Sequence, residues 1–224
     1  MYTKIKLVML VAGMYFFTGC DNGSTTTTDK DTDSSKMSNA KTDSMDKKMN
    51  MDNMKSGNGL MASMNKMMDK MSGMQMSGDF DMDFANMMIE HHQGAIDMSA
   101  IEVKSGTDAG IKSIAKHISI NQTDEQSKLR DIIKTLKPMK MEMGKHDELT
   151  KEMDNMKAGM SKMQMAGNTD KDFAMMMISH HESAIKMAKA ELSHGMNSDL
   201  KKIAQKEISD QTKEISEFKS WLSK

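Results

Sequence analysis

The stretch DFANMMIEHHQGAIDMSAIE at residues 83–102 recurs as DFAMMMISHHESAIKMAKAE at residues 172–191. The match continues without a gap when residues 64–133 are placed over residues 153–222, at a constant offset of 89 residues. A gapless internal match of this length indicates that one structural unit was duplicated. Because the unit is much longer than a solenoid repeat, the sequence predicts two similar half-bundles.

Each copy carries two apolar stripes at helical spacing. The first stripe repeats every three or four residues and ends before a glycine, Gly106 in one copy and Gly195 in the other. The second stripe runs from Ile111 to Ile132, and its counterpart runs from Leu200 to Trp221. Two antiparallel helical hairpins follow from this pattern, and they predict an all-α protein with a four-helix bundle. Extra Met-rich helices are expected before the hairpins, at about residues 60–73 and 147–162.

Four segments are predicted along the chain. Residues 1–19 form a lipoprotein signal peptide, and residues 20–56 form a disordered tether that contains methionine. The tether prediction rests on residues 21–56, which include no Leu, Ile, Val or aromatic residue to form a core. The two repeat units are residues 57–138, ending at Pro138, and residues 139–224. They are expected to pack as one bundle, because one hairpin alone would expose its apolar stripe.

The amino terminus carries an export pattern. Lys4 and Lys6 precede an apolar run at residues 7–17, which is short for a bilayer span but typical of a signal peptide. Thr18, Gly19 and the only cysteine, Cys20, then resemble a bacterial lipobox, which implies lipidation of Cys20. The alternative is an uncleaved N-terminal anchor with an incidental cysteine. The expected location is the bacterial cell envelope, with a lipid anchor to a membrane that faces the periplasm or the cell exterior.

Composition excludes several classes of function. Methionine accounts for 32 of 224 residues, whereas leucine accounts for nine. The formal net charge of −1 leaves no large basic field for a nucleic acid. A single cysteine excludes an intrachain disulfide framework and a thiolate cluster for zinc or iron–sulfur.

Polar residues interrupt the second apolar stripe of both copies at equivalent positions. These residues are Gln122 and Glu125 in the first copy, and Gln211 and Glu214 in the second. Buried polar groups are costly unless they are paired. We interpret them as buried partners of the histidines, with His91 or His92 in one half and His180 or His181 in the other. The alternative is a pair of exposed polar residues at a wide helix edge.

Histidine and methionine together indicate the metal. Imidazole binds copper, zinc, nickel and iron, whereas thioether sulfur is soft and selects Cu(I), with Ag(I) expected likewise. Copper is therefore the expected ion, and no catalytic residue is assigned. The predicted ligands are His91, His92, His180, His181, Met87, Met88, Met98, Met176, Met177 and Met187, with secondary ligands in loops at Met74, Met76, Met163 and Met165. Since the unperturbed imidazole pKa is about 6.5, binding through histidine is expected to weaken below that pH.

These motifs carry a family resemblance. The order Asp-Phe, Met-Ile, His-His and Ala-Ile-x-Met, followed on the next helix by Gln-x-x-Glu, resembles the domain-of-unknown-function family numbered three hundred and five. The resemblance covers about residues 80–136 and 169–223. It implies a ferritin-like bundle, export, and copper binding through the paired histidines and adjacent methionines.

Two classes of function and a metal-free alternative remain at this stage. The first is an exported, lipid-anchored copper-binding protein, not an enzyme, that sequesters copper or transfers it to a copper exporter or another copper carrier. The second is a ferritin-like metal oxidase, which should have two Glu-x-x-His motifs or a carboxylate-rich centre. The third is a metal-free protein whose methionines are oxidised to sulfoxide in place of other targets.

Overall fold

Helices account for all the regular structure in the parts of the chain that are described. The computed structural model describes residues 39–137 and 147–224, with side chains from residue 55 onward. Within these ranges there is no strand, so the predicted all-α class is confirmed. The helices are α1 (Asn39–Ser72), α2 (Phe80–Ser105), α3 (Ala109–Ile133), α4 (Asp147–Met160), α5 (Thr169–His194) and α6 (Ser198–Leu222).

Four of these helices form the bundle that the repeat predicts. Helix α2 pairs with α3 and helix α5 pairs with α6, and the two hairpins meet through α2 with α5 and α3 with α6. Helix α1 packs against α2 and α5, and helix α4 packs against α5 and α1. Among the described residues, no helix combines the length and apolar character needed to cross a membrane.

Helix ends follow local sequence chemistry in both repeats. The side chain of Asp79 caps α2 by accepting from the Met82 amide, and that of Asn168 caps α5 by accepting from the Lys171 amide. Gly106 and Gly195 end these two helices, as the sequence predicts. In the loops before α2 and α5, Gly78 and Gly167 have φ angles of 83° and 73°, a left-handed conformation that favours glycine.

Each repeat also caps the hairpin turn of the other. The Asp81 carboxylate accepts hydrogen bonds from the backbone amides of Met196 and Asn197, at 2.9 and 3.0 Å. Its counterpart Asp170 accepts from the amides of Thr107 and Asp108, both at 2.9 Å. Residues Asn39–Lys224 accordingly form one compact unit that contains both repeats.

Methionine supplies much of the core between the helices. The side chains that the sequence assigns to the apolar stripe of α2 and α5 are fully buried: Met87, Met88, Met98, Met176, Met177 and Met187. Phe80, Phe84, Phe173 and Phe218 complete the core at the two ends of the bundle. Such a core is polarizable, because thioether side chains replace most of the usual leucine.

The first helix differs from the predicted tether. Residues 39–56, which the sequence places in a disordered tether, form the first half of α1. Lys, Ala and Met have good helix propensity, so a helix anchored by buried Leu60 and Met64 can extend toward its amino terminus without an apolar stripe. The predicted signal peptide, Cys20 and Pro138 lie outside the described residues.

Candidate metal centre

The four paired histidines meet at the centre of the bundle. They lie midway along α2 and α5, and all four side chains are fully buried. The imidazole rings of His91 and His180 face each other across the interface of the two repeats, with centroids 3.7 Å apart. The His180 Nε2 atom donates to the His91 backbone carbonyl at 2.9 Å, which leaves the His180 Nδ1 atom with its lone pair.

Several of these imidazole nitrogens have no hydrogen-bond partner. Both ring nitrogens of His91 and the Nδ1 atoms of His92, His180 and His181 are buried without one. An unpaired buried polar atom costs free energy, so each one calls for a physical reason. A neutral imidazole binds a metal ion through such a lone pair, so these nitrogens are candidate metal ligands.

The second histidine of the α2 pair faces carboxylates. The His92 Nε2 atom lies 2.9 Å from Glu207 Oε1 and 3.2 Å from Glu125 Oε2. The ligand atoms of these three residues lie within 4.8 Å of one another, and all three side chains are buried. Lys206 closes the cluster with an ion pair to Glu125 at 2.9 Å. This is a nitrogen and oxygen donor set that suits a borderline divalent ion.

The family assignment agrees with this duplicated arrangement. The family model described as "Domain of unknown function (DUF305)" matches the chain twice, over residues 22–133 and 81–222. The chain belongs to the DUF305 family. No curated protein gives a match to this DUF305 chain.

Solved structures that resemble this DUF305 chain include two forms of CopM and a DUF305 fragment. A silver-bound form of CopM has 24% identity and a TM-score of 0.49, over 67% of this chain and 97% of that chain. A Cu(II)-bound form of CopM has 27% identity and a TM-score of 0.48, over 63% and 94%. A DUF305 fragment from Deinococcus radiodurans has 18% identity and a TM-score of 0.48, over 64% and 95%.

The two DUF305 repeats are not equivalent at this centre. In the second repeat, the His181 Nε2 atom contacts one carboxylate among the described residues, that of Glu214 at 2.7 Å. The position equivalent to Glu207 is occupied in the first repeat by Ile118, which is fully buried and apolar. The three-residue cluster around His92 therefore depends on a side chain from the other repeat.

Burial and neighbouring charges move the pKa values of these groups in opposite directions. Burial, with the adjacent His180, lowers the pKa of His91 well below 6.5, and burial likewise lowers the pKa of His180. Burial also opposes the charging of His92, but its bonds to Glu125 and Glu207 outweigh this and raise the pKa of His92 to about 9. The central pair is thus neutral and ready to donate lone pairs, whereas His92 holds a proton that a metal ion would displace.

These pKa values differ from the value that the sequence predicts for the four histidines. Sequence reasoning applied the ordinary pKa of about 6.5 to all four histidines. Because the pKa values of His91 and His180 lie well below 6.5, their imidazoles stay neutral in mildly acidic solution. The sequence-based expectation of a change near pH 6.5 therefore does not follow for these two imidazoles.

The other residues assigned from sequence lie in two environments. Gln122 and Gln211 are buried with unpartnered side-chain oxygens, and they line a small depression between α3 and α6 together with Glu125, Glu207 and Glu214. The carboxylates make this depression acidic. Met74, Met76, Met163 and Met165 lie in the loops before α2 and α5 and are half-buried.

Sequence reasoning did not assign Glu207 to the site. The signal was present, since Glu207 is charged at a position where the first repeat carries the apolar Ile118. A charged residue in a core-facing stripe is the same anomaly that identified Glu125 and Glu214. The contact between repeats that brings Glu207 to His92 was not visible in the sequence.

Proposed function

We propose that this chain binds copper ions at the centre of its bundle and acts in copper sequestration, tolerance or transfer. The observation that carries the proposal is the central His91 and His180 pair, with unpartnered ring nitrogens inside a methionine core. A buried imidazole without a partner lowers stability, so selection for packing alone would not favour it. Imidazole and thioether together suit Cu(I), with Ag(I) as a chemical analogue.

The cluster around His92 extends the proposal from Cu(I) to Cu(II). One imidazole and two carboxylates form a harder donor set, which suits Cu(II) better than Cu(I). A cation there would bind between Glu125 and Glu207 and release the proton of His92, so its binding would be coupled to proton release. In this proposal, copper is cargo, and the recipient is a copper exporter or another copper carrier.

Binding, rather than metal oxidation, is the activity that we propose. A ferritin-like oxidase uses two Glu-x-x-His motifs to hold two metal ions. The carboxylate-containing cluster found among the described residues has one histidine and two glutamates, which is a ligand set for one ion. His181 and its single carboxylate contact, Glu214, would add little to a dinuclear site.

We propose that the protein is exported and lipid-anchored through Cys20. The signal-peptide pattern and the position of the only cysteine support this location. The test is membrane fractionation together with labelled fatty acid, in wild type and in a Cys20→Ala variant. The wild type should incorporate the label and the variant should be released or stalled. An unlabelled wild type together with a variant that remains fully in the membrane would contradict the lipid anchor.

Copper binding is tested by titrating metal-free protein with Cu(I) against a competing chelator, and separately with Cu(II). We expect the double variant His91→Phe and His180→Phe to lose at least tenfold in Cu(I) affinity, while a Glu125→Gln and Glu207→Gln variant loses mainly Cu(II) affinity. His117 is exposed, so His117→Ala is the matched control for loss of one imidazole.

Two results would overturn the copper proposal. One is unchanged Cu(I) affinity in the double histidine variant, because that would make the central histidines structural. The other is a preference of the wild type for Zn(II) over Cu(I) in direct competition, because thioether donors then contribute nothing to metal choice.

A further inference from the structure

A lysine lies against the carboxylate cluster of the metal centre. The Lys206 Nζ atom lies 2.9 Å from Glu125 Oε1 and 2.6 Å from Asp210 Oδ2. The other carboxylate oxygen of Glu125, Oε2, faces His92 Nε2 at 3.2 Å. One glutamate thus joins the ammonium group of Lys206 to the imidazole of His92, so a fixed positive charge touches a candidate ligand of a divalent ion.

This charge is absent from the equivalent part of the other repeat. Three charged residues of α6 adjoin the cluster, whereas the equivalent residues of α3 carry no permanent charge: Lys206, Glu207 and Asp210 stand where α3 has His117, Ile118 and Asn121. The same helical turn therefore forms in α3 without a lysine, and the bundle architecture alone does not require one. The additional carboxylate of Glu207 comes with a cation one residue before it.

Asp210 holds the lysine beside the cluster. It follows Lys206 by four residues on α6, a spacing that places two side chains on the same face of a helix. This ion pair does not involve Glu125, so the ammonium group has a partner even when the Glu125 carboxylate turns to a bound cation. A residue outside the cluster thus keeps the positive charge near Glu125 and Glu207.

We infer that Lys206 sets the charge selectivity of the cluster, because it lowers the affinity for divalent cations. The inference rests on the proposed function, since it concerns Cu(II) bound by His92, Glu125 and Glu207. Repulsion between two cations is proportional to the product of their charges, so Lys206 repels a divalent ion more strongly than a monovalent one. A lower affinity allows faster dissociation, which suits a protein that passes its metal ion on.

An alternative role for Lys206 is to hold Glu125 in position for the metal ion. The two roles predict opposite changes when the lysine is replaced by a neutral residue. Loss of repulsion raises the affinity for Cu(II), whereas loss of positioning lowers it. Both roles predict a lower melting temperature of the metal-free chain, because the ion pair with Glu125 is lost. The direction of the change in Cu(II) affinity therefore decides between them.

The test is titration of the metal-free full chain with Cu(II) against a competing chelator, in wild type and in Lys206→Met. We expect Lys206→Met to bind Cu(II) about tenfold more tightly, as follows from removing one unit charge about 6–7 Å from a divalent ion at the dielectric constant of water. A parallel titration with Ag(I) should show a gain of about threefold at most, because the silver ion has half the charge. Lys206→Arg keeps the charge and should bind Cu(II) like the wild type.

A matched control separates the local charge from the net charge of the chain. Lys202→Met removes the same charge from α6, at an exposed residue whose ion pair is with Asp199, and it should bind Cu(II) like the wild type. Lys206→Gln provides a second neutral side chain in case methionine disturbs folding at this position. Unchanged or lower Cu(II) affinity in the folded neutral variants would overturn the inference.

The Glu125→Gln and Glu207→Gln variant separates failure of this inference from failure of the proposed function. In that background Lys206→Met should give no gain in Cu(II) affinity, because the cluster no longer binds the ion, and a gain that persists would overturn the inference. If the glutamate variant loses Cu(II) affinity while Lys206→Met leaves it unchanged, the role of Lys206 alone is overturned. If the glutamate variant binds Cu(II) like the wild type, Cu(II) binding at the cluster is overturned, and the role of Lys206 with it.

Discussion

Two buried imidazole rings at the centre of the bundle lower the stability of the metal-free chain. Both ring nitrogens of His91 and the Nδ1 atom of His180 lack partners in an environment without solvent. Burial lowers the pKa of both histidines well below 6.5, so both imidazole rings are uncharged at neutral pH. A polar ring that is buried, neutral and unpaired is what a metal ligand requires before the metal arrives.

A phenylalanine at position 91 should therefore stabilise the metal-free chain while weakening copper binding. Removal of two unsatisfied buried nitrogens should raise the free energy of unfolding by about 1 kcal/mol, or the melting temperature by about 2–4 °C. The measurements are thermal unfolding of metal-free His91→Phe and its Cu(I) affinity. His91→Leu provides a second apolar side chain in case the larger ring strains the core. A loss of stability in both variants would mean that His91 is a structural residue.

Contacts between helices of different repeats hold the two repeats together. The carboxylates of Asp81 and Asp170 each bind two backbone amides at the hairpin turn of the other repeat. Thr107 strengthens one of these caps, because its hydroxyl donates to Asp170 at 2.7 Å. A single hairpin would lose these caps as well as the partner for its apolar stripe.

Loss of either cap should destabilise the whole chain. We expect Asp81→Ala and Asp170→Ala each to lower the free energy of unfolding by about 1.5–3 kcal/mol, the usual range for hydrogen bonds to a charged group. The two caps lie at opposite ends of α2, so the losses should add within about 0.5 kcal/mol in the double variant. Urea unfolding measures both values, with exposed Asp124→Ala as the control. Single-variant losses no larger than that of the control would show that the caps do not hold the repeats together.

Sequence patterns predict these elements unevenly. The stripes of α2, α3, α5 and α6 and the glycines that end α2 and α5 predict the hairpins correctly, because an amphipathic period and a helix stop are local signals. The extension of α1 to Asn39 was missed, since residues 39–56 carry no apolar stripe. The pairing of His91 with His180 and the approach of Glu207 to His92 depend on contacts between repeats, which a periodic pattern does not encode.

Each end of the whole bundle contains a buried pair of carboxyl groups. Burial, together with Asp170, raises the pKa of Glu102 to about 8, and burial, together with Asp81, raises the pKa of Glu191 to about 9. Glycine leaves room beside each one, because a Cβ atom at Gly106 or Gly195 would overlap the present position of the glutamate carboxyl group. At neutral pH each glutamate is therefore protonated next to the aspartate that caps the opposite turn.

These two glutamates should make the folded chain less stable in alkaline solution. An unfolded glutamate has a pKa near 4.5, so between about pH 4.5 and pH 8–9 the folded chain binds more protons than the unfolded chain. The free energy of unfolding therefore falls as pH rises through this window. Glutamine cannot ionise, so the double variant Glu102→Gln and Glu191→Gln lacks this loss of stability. Its melting temperature minus that of the wild type should increase by at least about 2–4 °C from pH 6 to pH 9. Exposed Glu217→Gln is the matched control and should show no such gain. If the difference in melting temperature between the double variant and the wild type stays constant from pH 6 to pH 9, the glutamates do not bind the extra protons.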